Sequence, residues 1–82
     1  MEEIVYIVTF ENSKGVEREI GRAKTMKEAN DIIQSFLDAH NYKSYYWRKW
    51  LNNNDGTKIK VDVGSWTEFF YIFRNDLGQL EV

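Results

Sequence analysis

Residues 25–41, TMKEANDIIQSFLDAHN, decide the architecture. Thr25 stands three residues before Glu28, the spacing of a capping box: the Thr25 hydroxyl accepts from the Glu28 amide while the Glu28 carboxylate reaches back. Ala29, Ile32, Ile33, Phe36 and Leu37 then follow at i, i+3, i+4, i+7 and i+8, one apolar helical stripe. Lys27, Asp31, Gln34 and Asp38 fall on the wet side. His40-Asn41 ends the helix, with Asn41 suited to a left-handed cap. One helix with one apolar stripe needs a sheet to cover, and strand patterns lie on both sides of it.

Upstream, Glu3 to Phe10 alternates Ile4, Tyr6, Val8 and Phe10 against Val5, Ile7 and Thr9. Both sets are mostly apolar, as in a central strand with both faces partly covered. Asn12-Ser13-Lys14-Gly15 is a turn, and Val16 to Arg22 returns as a shorter strand with Glu17 and Glu19 outward. Downstream, Tyr42 to Leu51 is rich in β-formers, Asn52 to Gly56 turns, and Thr57 to Val63 alternates Ile59, Val61 and Val63 against Lys58, Lys60 and Asp62. Gly64-Ser65 turns again. Trp66 to Phe73 reads as a last strand, although Ser65-Trp66-Thr67-Glu68 also fits a capping box and so a short helix. The order ββαβββ predicts a two-layer α+β domain over residues 1–74, an antiparallel sheet with one helix packed on one face. Residues 75–82 read as a fraying tail.

The second hairpin carries the candidate site. Asn54-Asp55-Gly56 suits a three-residue loop closed by a left-handed glycine. That loop sets Leu51 opposite Ile59 and Trp47 opposite Val63, so Trp47 and Leu51, with Tyr45 a further candidate, face the core. Lys49 shares their side and has to snorkel at an edge. The other face receives Tyr42, Tyr46, Arg48 and Trp50 beside Lys58 and Lys60. Trp50 lies across from Lys60, which permits a cation–π contact, and Arg48 across from Asp62, which permits an ion pair. A four-residue loop exchanges the two sets.

Composition limits the chemistry. Eighty-two residues make one small domain. There is no cysteine, hence no disulfide and no thiolate site, which suits a reducing compartment. No apolar run is long enough to span a bilayer, and the acidic start at Met1-Glu2-Glu3 does not read as a signal peptide. The net charge of −2 divides into −3 over residues 1–41 and +1 over residues 42–82, unlike the strongly basic footprint of a duplex-DNA binder. The lone histidine, His40, reads as a helix-end residue. Serines 13, 35, 44 and 65 stand in no nucleophile-elbow context, and no phosphate-binding glycine motif or calcium loop occurs. The expectation is a non-enzymatic protein without cofactor, metal or small-molecule substrate.

What rises above this background is aromatic. Ten of the thirteen rings lie between Tyr42 and Phe73, threaded with Lys and Arg. Three explanations compete: rings filling the core, rings at a protein-recognition surface, and rings stacking single-stranded nucleic acid. For any single ring the core comes first, and much of Trp66 to Phe73 is expected there. For the exposed remainder, net acidity favours a protein partner, a second copy included, over nucleic acid.

The segment Val61-Asp62-Val63-Gly64-Ser65-Trp66-Thr67-Glu68-Phe69-Phe70, following Tyr46-Trp47-Arg48-Lys49-Trp50, is similar to small uncharacterised proteins encoded by phages and prophages of Gram-positive bacteria. The helix start Met26-Lys27-Glu28-Ala29 resembles theirs too, and the likeness covers about half the chain. It implies a cytoplasmic accessory protein of a mobile element in its bacterial host, of the kind that binds a host or defence component and blocks or redirects it. It brings no assigned site residues.

Overall fold

The computed structural model describes residues 4–42, 46–52, 56–65, 67–75 and 80. Five strands and one helix follow in the expected order: β1 (Tyr6–Glu11), β2 (Glu17–Ala23), α1 (Met26–Ala39), β3 (Arg48–Leu51), β4 (Lys58–Asp62) and β5 (Phe69–Arg74). They form one antiparallel sheet in the order β2-β1-β5-β4-β3, with α1 on one face. The last strand therefore lies in the middle, and β2 and β3, which α1 connects, are the two edges. Crossing from edge to edge carries the helix over the sheet, so its stripe closes a core on one side only.

Both ends of α1 follow from the sequence. Thr25 is extended, its hydroxyl accepts from the Glu28 N–H at 3.1 Å, and the Glu28 carboxylate accepts from the Lys24 N–H at 3.0 Å. At the other end Asn41 takes a positive φ of 55°. The Asn41 N–H donates to the Asp38 carbonyl and the Tyr42 N–H to the Leu37 carbonyl, the paired bonds of a Schellman motif. Ala29, Ile33 and Leu37 are buried against Val8, Ile59, Val61, Val63, Phe70 and Ile72. Phe36 meets Phe10 and Phe70 with ring centroids 4.7 and 5.5 Å apart.

The edge strand β2 departs from simple alternation. Val8 pairs with Gly21 and Thr9 with Glu19, so Ile20 is an extra residue and the strand bulges. Gly21 and Ala23 face the helix past the bulge, and the bulged Ile20 also packs against the core. A Cβ on Gly21 would stand 3.0 Å from Ile32, so the helix approaches here as closely as it does because position 21 has no side chain.

Four expectations need correction. Tyr42 does not begin β3: the helix cap holds its backbone, its ring packs beside the core, and the strand starts at Arg48. Leu51 pairs with Ile59 as expected, yet lies exposed at the end of an edge strand. The last strand starts at Phe69, and before it the Glu68 N–H donates to Ser65 Oγ. Leu80, within the stretch read as a fraying tail, is 6% exposed and its N–H donates to the Gly56 carbonyl. Tyr45, Trp66 and the turn residues 53–55 lie outside the described residues.

Candidate protein-contact face

The second hairpin has the three-residue-loop register: Arg48 opposite Asp62, Lys49 opposite Val61, Trp50 opposite Lys60, and Leu51 opposite Ile59. Gly56 has the left-handed φ that the loop demands, 73°. Parity then sends Trp47 and Lys49 to the helix side. Trp47 packs against the core, while the Lys49 ammonium donates to Asn30 Oδ1 on α1, and burial lowers its pKa.

On the opposite face stand five of the six residues singled out from the sequence: Tyr46, Arg48, Trp50, Lys58 and Lys60. Tyr42, the sixth, is held by the cap of α1 and packs against the helix-side core. Among the described residues no element covers this open face. Trp50 and Tyr46 are 39% and 47% exposed.

The remaining occupants were not legible as site residues. Because β5 is central, Phe69, Tyr71 and Phe73 point to the open face, and only Phe70 and Ile72 enter the helix-side core. Reading much of Trp66 to Phe73 as core holds for the burial of Phe70, Tyr71 and Ile72 but did not separate the two sides. The available signal was the unbroken apolar run from Phe69 to Phe73, which marks a strand covered on both faces. Lysines supply the second cover. Lys60 Nζ stands 4.0 Å from the Phe69 centroid and Lys58 Nζ 4.4 Å from that of Tyr71. These inner rings attract the ammonium that the register offered to Trp50. The Arg48 guanidinium lies over Tyr46, at 5.7 Å, and Asp62 accepts from the Gly64 N–H.

Acids occupy the far half. Glu17 accepts from the Thr9 hydroxyl at 2.6 Å and from Lys58 Nζ at 3.1 Å, and Tyr71 donates to Glu11 at 3.0 Å. Tyr71 is buried beneath this lattice, and that burial, aided by the bond to Glu11, pushes its hydroxyl up to about 12. At the β2 edge Glu19 holds Arg22 at 3.1 Å and raises its pKa by hydrogen bond and charge.

A cleft of about 630 Å³ opens at the C-terminal end of α1, floored by Phe10, Phe36 and Phe70 and rimmed by Arg18, His40 and Glu68. His40 Nδ1 lies 2.9 Å from the Phe36 carbonyl and its ring stacks on Phe36, so the histidine serves the helix end. The cleft floor is the same three-ring seam that holds α1 to the sheet. Among the described residues no cluster of His, Asp and Glu is arranged to hold a metal ion, and no helix is long and apolar enough to cross a membrane. In comparisons with family models, curated proteins and solved structures, the chain matches none.

Proposed function

We propose that this protein is a non-enzymatic contact module whose working surface is the open sheet face around Trp50. The observation that carries the reading is the exposure of Trp50 and Tyr46 beside a ring row on a face that no described element covers. Exposed Trp, Tyr and Arg give large contact area at small cost in side-chain entropy, which is why they concentrate where proteins bind. An antiparallel sheet face turned to water is ordinarily polar. The likeness to phage and prophage accessory proteins fits such a role: occupying a host or defence component in the bacterial cytoplasm.

Single-strand nucleic acid is the weaker reading because of where the lysines sit. Bases stack on open ring faces while cations neutralise phosphates. Here Lys58 and Lys60 cover the rings of β5, Lys58 is also bonded to Glu17, and carboxylates line the rest of the face. A polyanion would meet Glu11, Glu17 and Glu19 along with the cations.

The test compares the protein with its Tyr46→Ala/Trp50→Ala variant in capture from bacterial extract and in sedimentation, with oligonucleotide binding measured at low and moderate salt. The variant should lose protein contacts that the parent makes, and oligonucleotide binding should be absent at moderate salt. Unchanged capture and unchanged oligomeric state would overturn the choice of face. Tight oligonucleotide binding that falls steeply with salt would favour nucleic acid.

A further inference from the structure

The charges of the open face are separated by the strand order. On β1 and β2 it carries Glu11, Glu17, Glu19 and Arg22, a net −2. On β3 and β4 it carries Arg48, Lys58, Lys60 and Asp62, a net +2. The boundary between the halves is β5, the middle of five strands, with its row Phe69, Tyr71 and Phe73.

This arrangement is complementary to itself. Two such sheets can stack face to face about a two-fold axis lying between them, either along the strands or across them. An axis across the strands sets acidic half on acidic half. An axis along β5 exchanges left and right, so β3 and β4 of one copy lie over β2 and β1 of the other. Opposite charges then meet on both flanks, and the ring row meets its own copy on the axis. Symmetric contacts between identical chains are of this isologous kind. Level by level along the strands, Glu17 comes over Arg48 and Glu19 over Trp50 of the other copy, within reach of its Lys60. Glu11 and Asp62 share a level and meet as like charges, each held within its own chain by Tyr71 and the Gly64 N–H; Glu17 and Glu19 are held within the chain too, by Lys58 and Arg22, and exchange those partners for the cations of the other copy.

Resting on the reading of the open face as the contact surface, we infer that the partner it fits is a second copy of this chain, stacked face to face about a two-fold axis along β5. The dimer is a two-sheet sandwich with the helices outermost, and aligned sheets in such sandwiches cross by about 30°. Screening by salt weakens contacts of this kind between exposed charges.

Sedimentation velocity over a dilution series, at low and raised salt, tests the wild-type chain directly. It should show a dimer that dissociates on dilution and dissociates more readily as salt rises. Two charge-reversed variants test the axis. Arg48→Glu/Lys60→Glu makes both halves of the face net acidic, and Glu17→Lys/Glu19→Lys makes both net basic. Each should self-associate at least about tenfold more weakly than the parent, and an equimolar mixture should regain the dimer. Circular dichroism checks that both fold. A chain monomeric at every concentration overturns the inference, as does a dimer that both reversals leave intact, or a mixture of folded variants that regains nothing. A monomeric chain leaves the open-face reading standing; that reading falls only if Tyr46→Ala/Trp50→Ala changes no contact at all.

Discussion

The two faces of this sheet use the same kinds of residue for different ends. On the helix side, rings and branched aliphatics are excluded from water: Val8, Ile33, Ile59, Val61 and Ile72 have no exposed surface. On the open side the rings are just as large, but the cover is lysine stems, a carboxylate lattice and solvent. Burial by packed hydrocarbon is worth roughly 25 cal/mol for each Å² removed from water. Exposed ion pairs contribute about 0–1 kcal/mol. Stability is therefore concentrated on the helix face. The open face can change its cover, exchanging lysine and water for a partner at little cost to the fold.

Substitutions can break that contrast or sharpen it. The largest effect belongs to Phe70→Ala, which removes a ring that is 1% exposed from beneath α1. Chemical denaturation should show a loss of about 3–5 kcal/mol, a large fraction of what a domain this small has. A loss below about 1 kcal/mol, ordinary for a surface site, would mean that the helix face does not hold the fold. Next comes Gly21→Ala, whose Cβ would press on Ile32 at 3.0 Å. A cost of about 1–2 kcal/mol is expected, and an Ile32→Val change in the same chain should recover part of it.

On the open face the effects shrink. Tyr71→Phe removes the hydroxyl that donates to Glu11 and should cost about 1 kcal/mol. Tyr71 also gives a pH signature. Its folded pKa of about 12 stands above the ordinary 10, so the folded state holds the proton more tightly. This contribution is full below the ordinary value and is lost as pH rises through about 12. Wild-type stability should fall in that alkaline window by more than that of Tyr71→Phe. Parallel curves would place Tyr71 in solvent.

The fold was legible because its signals are local. A capping box, an apolar stripe and a left-handed asparagine mark α1 within seventeen residues, and Asn54-Asp55-Gly56 set a register that Arg48, Trp50 and Leu51 obey. What alternation could not supply is the order of strands across the sheet. Phe69 to Phe73 is apolar at every position, so period alone could not assign its two sides. Only the place of β5 between β1 and β4 shows that both are used. Glu17 read as an ordinary outward-facing acid for the same reason: it meets Lys58 across strands distant in sequence. Tyr42 was misplaced by its β propensity, which the Schellman motif of α1 overrides. The bulge at Ile20 carries no signature that distinguishes it from continuous alternation.

The most direct test of this division between faces is a paired measurement on Tyr46→Ala/Trp50→Ala: unfolding free energy and self-association or partner capture, determined on the same preparation. The expected result is a change in stability within about 0.5 kcal/mol for each exposed side chain, together with loss of the contact. A variant that keeps every contact of the parent, or one that unfolds as readily as Phe70→Ala, would contradict it.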